Sequence, residues 1–188
     1  MDIREAIAAY SPFNAQEAAD KALILAFLRE NPDAFCRTNR IAHMTASAWV
    51  VNPARDRVLM VYHKIYDSWS WTGGHADGDE DLARVALREV KEETGVKSAR
   101  LLSGDIFSLE SLTVDGHEKH GAYVPSHLHL NVTYLLEADD RDALTVCEEE
   151  NSGVRWFGLD EALLASSEPW FVERIYRKLN EKLRARFA

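Results

Sequence analysis

Between His127 and Leu136, in HLHLNVTYLL, apolar and polar side chains alternate. Leu128, Leu130, Val132 and Tyr134 share one face, and His127, His129, Asn131 and Thr133 share the other. A period of two with a consistently apolar face predicts a strand covered on one side. MTASAWVV (44–51) and RVLMVYH (Arg57–His63) predict two more strands, paired as a hairpin with Asn52-Pro53 turning the chain between them. Shorter strands are expected at Trp69–Thr72, 99–109 and Val154–Phe157.

Elsewhere the period lengthens towards that of a helix. Residues 2–10 predict a short helix stopped near Pro12. Asn14 can cap a second helix, with Ala18, Ala22, Leu25 and Leu28 near helical spacing and an end near Asn31-Pro32. A central helix is expected from about Glu80 to Thr94, with Asp79 as its N-cap and Gly95 just past its end. Leu159–Ala165 predicts a short helix, and Ser167 with Pro169 opens the last one, which aligns Phe171, Ile175, Leu179 and Leu183. Helices, strands, one central helix, strands and helices in that order predict an α/β fold with a mixed sheet covered on both sides.

The chain has 188 residues, which suits a single domain over 1–188. The first two helices (1–35) form an extension to a main body over 42–188. A net charge of −9 speaks against general nucleic-acid binding. Cys36 and Cys147 form no CxxC, so a reducing cytoplasm is the expected home. The N-terminus lacks a signal-peptide pattern, and no apolar run is long enough to span a membrane.

The central helix carries the chemistry. Leu82, Val85, Ala86 and Val90 mark its covered side, and Arg84, Arg88 and Lys91 its wet side. Glu89, Glu92 and Glu93, at i, i+3 and i+4, continue the covered arc. Three carboxylates beside a core repel one another and raise each other's pKa. A hard divalent cation such as Mg²⁺ or Mn²⁺ relieves this with oxygen ligands.

In full, the segment is Gly74, five residues, Glu80, seven residues, then Arg88-Glu89-Val90-Lys91-Glu92-Glu93-Thr94-Gly95-Val96. It resembles the signature of the Nudix hydrolases at every fixed position. Seven identities at roughly one chance in fifteen each make coincidence negligible. The resemblance implies a Nudix-like α/β/α sandwich extending from about Ala42 to the last helix, and hydrolysis of a diphosphate attached to another moiety, a nucleoside diphosphate-X type compound. Glu89, Glu92 and Glu93 would hold Mg²⁺ or Mn²⁺, with the Gly74 carbonyl as a further ligand. Arg88 would pair with Glu80 and brace the loop against the helix. The general base would be a glutamate of the signature or of the later loop Cys147–Asn151, where Glu150 matches best and Glu148 and Glu149 are alternatives. The partner implied is a small-molecule diphosphate, and a homodimer is left open.

Other residues are candidates for substrate binding. His75 follows Gly74 and can touch phosphate or supply a nitrogen ligand. His127 and His129, two apart on one strand face, can meet one metal or one phosphate. His43, His117 and His120 are weaker candidates. Trp69, Trp71 and Tyr66 cluster before the signature and can stack on a flat group, and Lys64 and Arg57 can contact phosphate. Gly116–Ser126 is expected to be a loop able to close over substrate.

Two alternatives share the fold. His-x-Thr-x-Ser-x-Trp (His43–Trp49) and Trp71-Thr72…His75 are mildly similar to isopentenyl-diphosphate isomerase. That family uses a cysteine in the strand before the helix, and Trp71–His75 has none. A non-catalytic nucleotide-sensing domain is the other alternative, opposed by the intact glutamates.

Overall fold

The computed structural model describes residues 2–119 and 121–187. At its centre runs β1 (Ala42–Val51), buried over its whole length. It pairs in parallel with β9 (His127–Glu137) and antiparallel with both β2 (Arg57–His63) and β4 (Thr72–His75). β3 (Ser68–Ser70) and β10 (Asn151–Gly158) flank β2, while β5 (Arg100–Leu101) and β6 (Ser108–Val114) both pair with β9 along the edge away from β1. The result is a mixed sheet.

Alternation along β1 divides the interior in two. Ala42, Met44, Ala46, Ala48 and Val50 face a core shared with α1 (Ile3–Ala9), α2 (Ala15–Glu30) and α3 (Leu82–Thr94). Trp49 and Val51 face a second core. That core is built with α4 (Leu159–Ala165) and with the last helix, which runs from α5 (Pro169–Phe171) through a π-helical turn, Val172–Tyr176, into α6 (Arg177–Phe187). The architecture is thus an α/β/α sandwich with two N-terminal helices. No helix among the described residues is long and apolar enough to cross a membrane.

Several local expectations are corrected. The strand expected at 99–109 is two strands, β5 and β6, which pair with opposite halves of β9 across a break at 102–107. Gly116–Ser126 is a separate hairpin, β7 (His117–Lys119) and β8 (Ala122–Val124). His120 lies outside the described residues. The central helix is capped by Asp81, whose side chain accepts the Arg84 N–H at 3.0 Å, and not by Asp79. Asp79 instead accepts the Asp81 N–H and both arms of the Arg84 guanidinium. Gly95 closes the helix at φ 70°, a left-handed conformation natural to glycine.

Candidate active site

β4 delivers the Gly73-Gly74 loop to the face of α3, and close approach is what these glycines permit. A Cβ on Gly74 would run into the Glu89 carboxylate, and one on Gly73 into Ser47 of β1. The Gly73 N–H donates to Glu93 Oε2 at 3.0 Å, and Asn151 Nδ2, from β10, donates to Glu93 Oε1 at 3.4 Å. Both hold a carboxylate that is 3% exposed. Burial pushes Glu93 up to about 8; the two hydrogen bonds counter it, and Glu89 and Glu150 add repulsion. Glu89 is also raised, first by burial and then by Glu92 and Glu150, against the pull of Arg88. Glu92, whose side chain is 62% exposed, lies one turn on from Glu89.

Arg88 does not pair with Glu80. Its Nη2 donates to Glu89 Oε1 at 2.8 Å and to the His75 carbonyl at 3.3 Å, and its Nε lies 3.9 Å from Glu92. Glu80 precedes the helix start and is held by Arg4 of α1 at 2.9 Å. Arg88 still ties the helix to the glycine loop, through the His75 backbone.

This face opens on a cavity of about 1390 Å³. Glu89, Glu92, Glu93, Gly74, Glu149 and Glu150 line it, and so do His43, His75, His127 and His129. Strand register assembles the histidines: His43 pairs with His129 across β1 and β9, and His75 lies opposite Thr45 across β4 and β1. Ring centroids of His43, His75 and His129 lie 4.8–5.1 Å apart. Burial holds His43 below its ordinary value, and burial with the neighbouring rings pulls His129 down to about 2.

A family model for the NUDIX domain matches residues 42–179. The chain belongs to the Nudix family. It is 33% identical over 95 residues to the asymmetrical bis(5'-nucleosyl)-tetraphosphatase of Rattus norvegicus, over 50% of this chain and 58% of that protein. It is 34% identical over 124 residues to the CMP-5'-(N-acetyl-N-hydroxy-3-aminopropyl)phosphonate hydrolase of Streptomyces rubellomurinus, over 62% of this chain and 52% of that one. The chain therefore spans little more than half the length of these two relatives. An Ap4A hydrolase binary complex from C. elegans is similar in fold, with a TM-score of 0.55 and 18% identity over 75% of this chain and 98% of that one.

Against this Nudix frame, two residues expected to bind substrate lie elsewhere. Trp69 is not in the cavity lining; its ring packs edge-on against Tyr62 and Phe157. Lys64 Nζ donates to the Glu148 carbonyl and its N–H to the Glu150 carbonyl at 3.1 Å, so it braces the acidic loop. The exposed aromatics that do line the cavity are Tyr66, Tyr123 and Trp170, the last from α5. Arg40, which also lines the cavity, and Asn151, bonded to Glu93, are not among the residues the sequence singles out. Two arginines three positions apart before β1, Arg37 and Arg40, are the available signal for Arg40; for Asn151 there is none, because only the fold brings it to Glu93.

Proposed function

We propose that this chain is a metal-dependent hydrolase that cleaves a diphosphate linkage in a nucleoside diphosphate-X type compound by attack of water. The observation that carries the reading is the convergence of Glu89, Glu92 and Glu93 at the glycine loop, with Glu93 buried and, among the described residues, no cationic side chain bonded to it. The donor set fits a hard divalent ion. Its atoms are carboxylate oxygens, their charge is only partly offset by Arg88, and Gly74 leaves room beside Glu89. Glu89, Glu92 and Glu93 would hold Mg²⁺ or Mn²⁺, which when bound supplies charge neutralisation at phosphate and acidifies water.

The rest falls to the chain itself. Arg88 fixes Glu89 and, through the His75 carbonyl, the position of the loop. Glu150, which lines the cavity, is the residue proposed to take the proton from the attacking water. Arg40 at the cavity suits a phosphate, and Tyr66, Tyr123 and Trp170 offer ring faces to a base. The cavity exceeds the roughly 300–1000 Å³ of common small-molecule sites, which suits an extended substrate. The names of the two relatives, both acting on nucleotide compounds, support the same class.

A panel of diphosphate compounds tests this, incubated with Mg²⁺ and with Mn²⁺ in isotopically labelled water, with products resolved by mass. Dinucleoside polyphosphates, nucleotide sugars and an allylic diphosphate belong in it. Label should enter a phosphate product. Glu92→Gln should lower turnover about 10³-fold, as loss of several kcal/mol of charge stabilisation requires, with the protein still folded. Equal phosphate release by wild type and variant would sink the mechanism, and isomerisation of the allylic compound alone would replace it.

A further inference from the structure

Glu168 lines the cavity and has no part in the chemistry assigned to α3. It occupies the N-cap position before Pro169, at the start of the last helix, yet its side chain makes no capping hydrogen bond. Glutamate is not among the residues favoured at that position. The carboxylate is turned to β3 instead, where Ser70 Oγ donates to Oε2 at 3.2 Å. Burial raises the Glu168 carboxyl, and the hydroxyls of Ser70 and Ser68 counter it. Among the described residues no lysine or arginine pairs with this half-buried group.

The segment that carries it is fixed. The Ser167 N–H donates to Ser68 Oγ at 3.0 Å, and Ser167 Oγ donates to the Asp67 carbonyl at 3.2 Å. The Ser68 and Ser166 hydroxyls lie 3.2 Å apart. Ser166-Ser167-Glu168 is thus stitched to β3 and its approach, and the carboxylate is held although it lies between helices. A group held by its own supporting bonds loses little freedom when a ligand arrives. Two exposed aromatics line the same cavity, Trp170 at 47% and Tyr66 at 41%. Tyr66 is near enough to feel the carboxylate: burial, then the charges of Glu168 and Asp115, push its hydroxyl up. A π-helical turn, Val172–Tyr176, follows, an irregularity frequent at functional sites.

We propose that Glu168 reads the base of the nucleotide, and that the base it selects is guanine. This rests on the nucleotide part of the function proposed above and not on its hydrolytic step. An ionised carboxylate only accepts hydrogen bonds. The pairing edge of guanine sets a ring N–H and an amino group side by side. Those are two parallel donors, as in the arginine fork that carboxylates accept with both oxygens. Adenine and cytosine set their amino group beside a ring-nitrogen lone pair, and uracil sets its N–H between two carbonyls. Each therefore turns an acceptor on the carboxylate, which forfeits a hydrogen bond in a partly desolvated place. Tyr66 and Trp170 offer stacking that every base accepts, so they add affinity and not choice. A hard cation is poorly served by one carboxylate among serines and ring faces, since it gathers oxygens.

Nucleoside monophosphates test this, because they carry the base and no diphosphate linkage. GMP, IMP and AMP are titrated by calorimetry into the full chain in Mg²⁺. GMP should bind about 10- to 100-fold more tightly than AMP, as hydrogen bonds to a charged group allow. IMP keeps the ring N–H and lacks the amino group, so it should fall between them. Glu168→Gln sets an amide N–H against the guanine donors and should bring GMP and AMP to within about threefold of each other. Trp170→Ala should weaken both alike. Circular dichroism keeps the comparison to folded variants, and the wild-type order of the three nucleotides tests the proposal if Glu168→Gln does not fold. The proposal is overturned if wild type binds AMP as tightly as GMP, if none of the three binds at millimolar concentration, or if folded Glu168→Gln keeps the preference. Turnover of the diphosphate panel is scored separately. Hydrolysis with no guanine preference would remove this subsite and leave the hydrolase standing; a guanine preference with no hydrolysis would do the reverse.

Discussion

Glu17 and Glu110 are fully buried, at least as deeply as Glu93, yet their surroundings differ in kind. Lys182 Nζ lies 2.7 Å from Glu17 Oε1, and Lys178 Nζ lies 3.4 Å from the same oxygen and 2.9 Å from Glu110 Oε1. Tyr10, the Phe13 N–H and Ser108 donate to Glu17, and Asn131 and Thr133 donate to Glu110. Burial alone would raise Glu17; Lys182 and the other donors outweigh it and hold the carboxyl below its ordinary value. Around Glu93, among the described residues, there are two donors and no lysine, and the carboxyl is pushed up. The first cluster supplies its own cations and ties α2, β6 and α6 together. The second leaves its charge for something from outside. A buried glutamate is therefore no sign of a cation site; a buried glutamate that the chain has not neutralised is.

The largest effect should come from unbalancing the first cluster. Glu17→Gln leaves Lys182 and Lys178 buried with only Glu110 to share, and breaking such a pair costs about 3–5 kcal/mol. Urea unfolding measures it. The pH dependence has a definite sign. The folded-state pKa of Glu17 is depressed, so its contribution is present above the ordinary value of 4.5 and is lost as pH falls through the lower, folded value. Wild type should therefore lose stability on acidification below that point more steeply than Glu17→Gln. A variant as stable as wild type would mean that the two clusters do not differ as described.

The second cluster should titrate in the opposite sense. Glu93 has a folded-state value of about 8 against an ordinary 4.5, so the folded protein keeps a proton that the unfolded chain has released. Metal-free stability should fall as pH rises through that window, by on the order of 1.4 kcal/mol per pH unit where the difference is complete. A cation at the site requires the carboxylate, so its binding releases a proton and its stabilising effect grows with pH. Thermal unfolding with and without Mg²⁺, at about pH 6 and about pH 8, shows whether the gain increases. Glu93→Gln should flatten both profiles, and an Mg²⁺ gain independent of pH would detach Glu93 from the ion.

How much of each cluster could be read in the sequence follows from how far apart its parts lie. Glu89, Glu92 and Glu93 share one helix, so spacing alone put them on one face. Alternation likewise put His127 and His129 together on β9. That His43 and His75 join them depends on the register of three strands, which the period of two does not specify. The first cluster was illegible for the same reason: Lys182 stands 165 positions from Glu17, and nothing local marks either residue as buried. The N-terminal helices read correctly as helices, but their docking did not, and it is their docking that takes Glu80 away from Arg88.

That exchange of partners supplies the smallest test and a third kind of carboxylate. The side chains of Arg4 and Glu80 are 35% and 56% exposed, so water screens the pair and it should contribute under about 1 kcal/mol. A double-mutant cycle over Arg4→Ala and Glu80→Gln should give a coupling of roughly 0.5 kcal/mol that shrinks with salt. The same cycle over Arg88→Ala and Glu80→Gln should give none, because Arg88 is engaged by Glu89 and the His75 carbonyl. Coupling in the second cycle and not the first would return Glu80 to the loop and helix. The outcome expected here instead makes it a docking point for α1: a motif glutamate that is exposed and paired with a distant arginine, and so belongs with neither the neutralised cluster nor the open one.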